Sequence, residues 1–418
     1  MLSEKIYAFI GSLVVASTIF LWAIEIGPDN YDVGLNVLIS VTAFIIYFPY
    51  IIKKSDIFPF VFSASIVVYQ ITWTMINGFD VRSTLTCICF VFYFYGVFYS
   101  VLFCLKDKFL TFKELIIPFL TAQICLQALQ MFDVFSLHGF YTVRMYIFGS
   151  IGGTGFYGEG SHVALSLVPL MFLKDNRGSH FNLYSILVAS SLLLGISSTA
   201  VLGILLICVL FMLRSQSWER IAIVTSVIIC VLAAEIVFWR LFDVPPITPL
   251  ATRIWGFFQI IGGNLSPRVS LSSLVYANGV DMAWSGLKDI IGSGLGHFDI
   301  YFADSIARTA IYKIVHGPLN KDDGSVVLLK MIGELGLLGL AIVVYFVLSS
   351  LAIINKYGDS ILSVVASFLI MAAIRSAGYF HGPYILSFAL VGVLWQMGKL
   401  PRMPFRRQTD INNTMSHP

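Results

Sequence analysis

The sequence predicts an all-α integral membrane protein of about twelve transmembrane helices, and three observations predict it. The first is composition: of 418 residues, 58% are apolar and only 12% are charged, with a mean hydropathy of +0.86. A soluble domain carries about a quarter charged residues, and a chain this long with so few could not cover a soluble core. The second is the recurrence of apolar runs of spanning length. The third is the confinement of Lys and Arg to alternate connections. Together they exclude a soluble enzyme, a disordered chain, a nucleic-acid binder and a disulfide scaffold.

The apolar runs justify the spans in order. A hydrocarbon core about 30 Å thick takes roughly 20 apolar residues of helix. Runs centre on 6–24, 33–52, 57–76, 84–105, 115–135, 158–173, 182–197, 199–213, 220–238, 334–354, 360–378 and 383–398. The runs 182–197 and 199–213 are short and share Ser197-Ser198-Thr199, as a tight helical hairpin or one broken element. The first run lacks a cleavage-site pattern and is read as a retained span.

Basic residues set the orientation. With the N-terminus inside, the inner segments hold Lys5, Lys53, Lys54, Lys106, Lys108, Lys113, Lys174, Arg177, Arg214, Arg220, Lys356, Lys399, Arg402, Arg406 and Arg407. The short outer loops hold only Arg82, Arg144 and Arg375. This positive-inside alternation supports twelve spans with both termini in the cytoplasm. The chain therefore divides into transmembrane helices one to nine (1–238), a long outer loop (239–325), helices ten to twelve (326–398) and a basic tail (399–418).

The long loop is not low-complexity. It carries Arg240, Arg253, Arg268, Lys288, Arg308, Lys313 and Lys321, balanced by Asp243, Asp281, Asp289, Asp299, Asp304, Asp322 and Asp323. Residues 271–291 place apolar side chains at helical spacing, which predicts an amphipathic helix lying on the bundle. Pro245, Pro246, Pro249, Gly262, Gly263 and Pro267 punctuate the stretch before it. Loops this long are functional or disordered, and the aromatic and Ile/Leu content here argues for order and function. The six cysteines (Cys87, Cys89, Cys104, Cys125, Cys208 and Cys230) lie in or beside apolar runs and read as free, buried thiols. No Cys/His spacing suggests a metal site.

Charges near the membrane are costly and therefore informative. Glu25, Asp133, Glu159, Glu235, Arg240, Lys330, Glu334 and Arg375 all lie near outer helix ends, so a site would face outward. Snorkelling of helix-end residues is the alternative for each. Lys330 and Glu334, at i and i+4, are spaced to pair on one helix face. Gly292, Gly294 and Gly296 give a turn after the amphipathic helix, beside which His297 packs. Gly333, Gly336 and Gly339 would let the next span pack closely. His381-Gly382-Pro383 repeats the tripeptide His316-Gly317-Pro318, which shared turn chemistry explains as well as anything.

One long outer loop closed by Gly294-Leu295-Gly296-His297-Phe298, then His316-Gly317-Pro318-Leu319-Asn320, then a span opening Gly333-Glu334-Leu335-Gly336-Leu337-Leu338-Gly339, resembles the O-antigen polymerase (Wzy-type) and O-antigen ligase superfamily. Phe156-Tyr157-Gly158-Glu159-Gly160-Ser161-His162 is similar to a Glu-Pro-Ser segment of polysaccharide polymerases, with Gly160 in place of the proline. The resemblance implies a GT-C-like membrane fold and a metal-independent glycosyltransferase without a cofactor. The donor would be a glycan on undecaprenyl diphosphate, at the periplasmic leaflet of a bacterial inner membrane. A polymerase moves the growing glycan onto the next lipid-linked unit; a ligase moves it onto lipid A-core. A polysaccharide chain-length regulator is the implied protein partner. A flippase for the same lipid-linked glycan is the rival from another class, but the chain does not show two similar halves.

The resemblance and the chemistry suggest roles. Two phosphates call for bidentate Arg donors, and preorganised donors stabilise the charge that develops as the sugar–phosphate bond breaks. Arg268, which precedes the amphipathic helix and glycine turn, and His316 are the implied catalytic residues, with Glu159 as the alternative general base. Arg253, Arg240, Arg375, Arg144 and Asn320 are the candidate diphosphate and glycan contacts. Plainer roles are an interfacial anchor for Arg253 beside Trp255, a loop salt bridge for Arg268, a turn for His316 and a helix cap for Glu159.

Overall fold

Helices dominate the computed structural model, which describes residues 2–26, 33–54, 56–131, 145–147, 150–152, 154–157, 160–174, 182–195, 197–214, 256, 259–260, 271–317, 319, 321–322, 326–358, 360–376 and 378–401. In chain order they are α1 (Leu2–Phe20), α2 (Leu35–Lys54), α3 (Ile57–Asn77), α4 (Val81–Lys106), α5 (Leu110–Met131), α6 (Gly160–Leu167), α7 (Leu183–Leu194) and α8 (Ser198–Arg214). The later helices are α9 (Leu271–Lys288), α10 (Arg308–Val315), α11 (Val327–Tyr357), α12 (Ile361–Ile374) and α13 (Tyr384–Gln396). Two small antiparallel ribbons, Glu25–Ile26 with Val33–Gly34 and Met145–Ile147 with Ser150–Gly152, interrupt the helical pattern.

Five helices, α2, α3, α4, α5 and α11, are long and apolar enough to cross a membrane, and shorter apolar helices accompany them. The chain is accordingly a helical protein suited to a lipid bilayer. The run 158–173 is not one span-length helix. Pro169 has no N–H to continue the ladder, so α6 stops at Leu167 and the chain tightens into a 3-10 turn over Pro169–Phe172. The runs 182–197 and 199–213 form two helices that part company: α7 packs on α5, while α8 packs on α6, α11 and α12. The expected span 220–238 lies outside the described residues.

Local chemistry sets the ends. The Asp80 carboxylate accepts the Ser83 N–H at 2.6 Å and starts α4, and Asn182 with Ser185 makes a reciprocal capping box for α7. α4 is the central helix, packed by α1, α2, α3 and α13. Its Tyr93, Phe94, Val97, Phe98 and Val101 are fully buried. Small residues let the backbones approach, Gly96 against Ser40 and Gly11 against Ser100. Between α3, α11 and α13 lies an apolar cavity of about 370 Å³, lined by Phe58, Phe62, Ile342, Tyr345, Phe346 and Trp395 among others. Of the cysteines, Cys87 and Cys104 are buried thiols, whereas Cys125 is exposed on α5, contrary to the expectation of burial throughout.

The two ends of the bundle differ. One end carries lysines: Lys106 Nζ donates to Tyr50 Oη at 2.9 Å, Lys54 lies over the same ring, and Tyr357 Oη donates to the Lys399 carbonyl at 2.8 Å. The opposite end carries carboxylates, histidines, arginine and the buried Lys330.

Candidate functional site

At that opposite end, the break in α11 organises a polar cluster. Gly336 has φ +57° and ψ −129°, a conformation closed to residues with a Cβ. The run of glycines therefore does not serve an unbroken span, as the sequence suggested, but divides it. At the break the carbonyls of Gly333 and Glu334 turn to a neighbouring segment, accepting the Ser293 N–H at 3.2 Å and the Gly294 N–H at 3.0 Å. Tyr69 Oη of α3 also donates to the Glu334 carbonyl, and the Leu337 N–H donates to Ile290 O at 2.8 Å. The segment held in this way is the glycine turn, where Gly292, Gly294 and Gly296 all have positive φ.

The Glu334 side chain completes the attachment. It is wholly buried, and its two oxygens accept the Gly296 N–H at 2.9 Å and the Phe298 N–H at 3.1 Å. Lys330, one turn earlier, places Nζ 3.2 Å from Glu334 Oε1 and also donates to the Asp322 carbonyl. The pair on one helix face is real, and it is buried. Such a pair persists only when hydrogen bonds satisfy both ions; here the glycine-turn N–H groups serve the carboxylate and the Asp322 carbonyl serves the ammonium. The ammonium also lies 5.5 Å from the centre of the Tyr379 ring. Burial, then the Glu334 carboxylate, push the Tyr379 phenol well above its ordinary pKa.

Around this core runs a more exposed set of polar contacts. His297 stacks on Trp73 with ring centres 5.7 Å apart and sets Nε2 2.9 Å from Asp80 Oδ2. Desolvation raises the Asp80 pKa, but the Ser83 N–H and His297 outweigh it and hold the carboxyl below its usual value. Arg82 reaches Asp322 at 2.9 Å and Asp299 at 3.8 Å. Arg82 and Lys330 thus direct their donors to carboxylates and a carbonyl of the protein. Chemically the cluster is a clamp that holds the glycine turn against α3, α4 and α11.

A second cluster lies at the same end. Trp22, just past α1, is flanked by the imidazoles of His162 and His381, with ring centres 4.8 and 5.9 Å away, and donates to Ser166 Oγ at 2.9 Å. His162 comes from the first turn of α6 and His381 from the turn before α13. The two His-Gly-Pro tripeptides do not share a conformation. At the first, His316 itself is left-handed (φ +58°); at the second, Gly382 is (φ +92°).

Two glutamines of α5 place the segment that leads into α6, and a third ties α5 to α7. Gln123 donates to the Thr154 carbonyl and accepts the Phe156 N–H; Gln130 donates to the Gly155 carbonyl and accepts the N–H groups of Thr154 and Gly155. Gln127 is bound to Ser191 of α7. All three are buried. Gln130→Leu is expected to cost about 1–3 kcal/mol, because it strands buried backbone groups. Thermal unfolding in detergent checks this; an unchanged midpoint would show that the loop does not depend on the clamp.

The structure places the residues singled out in the sequence unevenly. Arg268, Arg253, Arg240, Arg144, Glu159 and Asn320 lie outside the described residues. His316 is exposed, caps the end of α10, and has no described side-chain bond to either cluster. Arg375 is half-buried at the end of α12, beside Ser376, which accepts the Val327 N–H one turn before Lys330. The sequence reading missed Asp80, Arg82 and Tyr69 as members of the glycine-turn cluster, and the glutamines as supports of the segment before α6. The glutamines had a signal, since positions 123, 127 and 130 form one stripe on an otherwise apolar helix. Among the described residues no group of three His, Cys, Asp or Glu side chains is placed to hold a metal ion. No protein-family model matches the chain, and no curated protein sequence matches it.

Proposed function

We propose that the protein polymerises oligosaccharide repeat units carried on undecaprenyl diphosphate, at the outer face of a bacterial inner membrane. The observation that carries the reading is sidedness. The glycine turn, the Gly333–Gly339 segment, His162, His381 and Arg375 come from distant parts of the sequence and gather at the end of the bundle opposite Lys54, Lys106 and Lys399. By the positive-inside rule that end faces outward, where lipid-linked glycan would meet the enzyme.

In this reading an acceptor hydroxyl of the next lipid-linked unit attacks the anomeric carbon of the growing glycan. The sugar–phosphate bond breaks, and undecaprenyl diphosphate leaves. Arg268, with Arg240, Arg253, Arg375, Arg144 and Asn320, holds the negative diphosphate and the glycan. His316 or Glu159 takes the acceptor proton.

Deleting the gene is expected to leave surface polysaccharide one repeat unit long, seen as a collapsed ladder on a gel. Loss of all attached glycan, with lipid-linked polymer accumulating, would instead indicate a ligase. Loss of both, with units trapped on the inner leaflet, would indicate a flippase, and an unchanged ladder would exclude all three. Arg268→Ala and His316→Ala are expected to reproduce the deletion while the chain inserts stably. A normal ladder from either variant would remove that residue from the site.

A further inference from the structure

We propose that residues 271–307 form a re-entrant hairpin that dips beside α3 and α11, with its outward face seated in the lipid of the leaflet on that side. The inference rests on the membrane spans and not on the proposed reaction. The sequence suggested a helix lying on the bundle; the contacts give its course. Gly286 of α9 meets Gly333 of α11, and Ile290 meets Gly336 and Leu337, so the two helices run in the same direction. The chain then reverses through the glycine turn and climbs back along α9. On the return, Tyr301 Oη donates to Asp289 at 2.6 Å, the Ile306 N–H to Asp281 at 2.9 Å, and the Ala307 N–H to Asn278 at 3.1 Å. Leu274, Val275, Met282, Phe298 and Phe302 give the hairpin its own small core.

The level of the tip follows from α3. Gly294 packs on Trp73, and the Ile291 carbonyl accepts from Tyr69 Oη at 2.9 Å. Those residues lie one and two turns before the end of α3 at Asn77, about 6–12 Å of helix rise. Non-helical backbone at that depth must have its polar groups satisfied by protein. Four of its N–H groups, those of Ser293, Gly294, Gly296 and Phe298, go to Gly333 and Glu334. This gives the buried carboxylate a purpose, because it replaces the water that a surface turn would have used.

The outward face matches lipid. Trp284 is 55% and Ile290 63% exposed, and Val280 lies one turn above Trp284 on α9. Lys288 lies over the Trp284 ring at 5.8 Å, an arrangement suited to an interface where indole and ammonium sit at headgroup level. The patch continues onto α11, where Leu337, bonded to Ile290, and then Val344 are exposed.

Nitroxide labels test the placement, at Val280→Cys, Trp284→Cys and Ile290→Cys, in full-length protein in vesicles with the six native cysteines replaced by Ala. Labels at Val344→Cys and Asp304→Cys supply the lipid-facing and water-facing references. The expected ratio of collisions with oxygen to collisions with a nickel chelate is higher at 284 and 290 than at 304, with 290 nearer the value at 344 because it lies deeper than 284. A ratio like that at 304 would place the hairpin in water and overturn the proposal. Low collision rates with both reagents would mean that protein covers the face, and would overturn it equally. The label at 280 carries the test if either deeper variant fails to insert.

Discussion

Glu334→Ala is expected to destabilise the protein by about 3–5 kcal/mol, the range for removing one partner of a buried ion pair. The substitution leaves the Lys330 ammonium buried without its counter-ion and takes the acceptor from two glycine-turn N–H groups. Glu334→Gln keeps an acceptor but not the charge, so a smaller loss is expected. The combined change Glu334→Leu with Lys330→Met removes the uncompensated charge and should recover part of the loss. Unfolding midpoints of the four chains in detergent decide the matter. If the double variant is no better than Glu334→Ala, the hydrogen bonds to the turn outweigh the ion pair. If Glu334→Ala itself is neutral, the clamp contributes nothing to stability.

Gly336→Ala is expected to cost about 3 kcal/mol or more, because backbone strain and collision add. A Cβ at this position would lie 2.0 Å from Ile290 O and 2.5 Å from Ile290 C. Both are backbone atoms, so no side-chain rotation relieves the contact. Relief requires the hairpin to move away from α11, which breaks the Leu337–Ile290 bond and unseats the turn. The variant should therefore show a lower unfolding midpoint together with new protease cleavage between 289 and 297. Gly317→Ala, where a Cβ meets nothing within 4 Å, is the control, expected within about 0.5 kcal/mol of the parent. Equal behaviour of the two variants would remove the break in α11 as a structural requirement.

Much of the helical layout was legible because hydropathy is local. The apolar runs on described residues became helices, and Lys330 with Glu334 paired as i, i+4 spacing requires. The break at Gly336 was not legible. Glycine repeats in an apolar helix usually signal close packing, and Gly333 does pack closely against Phe298. Which glycine turns left-handed depends on what is bonded there, and Ile290 and Gly294 are remote in sequence. The site was legible only in part for the same reason. The residues chosen for chemistry were conspicuous charges in loops, whereas the observed clusters are joined by Tyr69, Asp80, Arg82 and Trp22, ordinary residues of helices and their caps.

Composition determined that this is a chain of apolar helices suited to a bilayer, because transfer from water is a sum over residues and needs no partner. Only the tertiary structure decided that the chain after α9 turns beside Tyr69 and Trp73, and that one buried carboxylate accepts two of its N–H groups. Those are directional bonds between segments far apart in sequence, and a buried polar group is tolerable only where its partner has been brought to it.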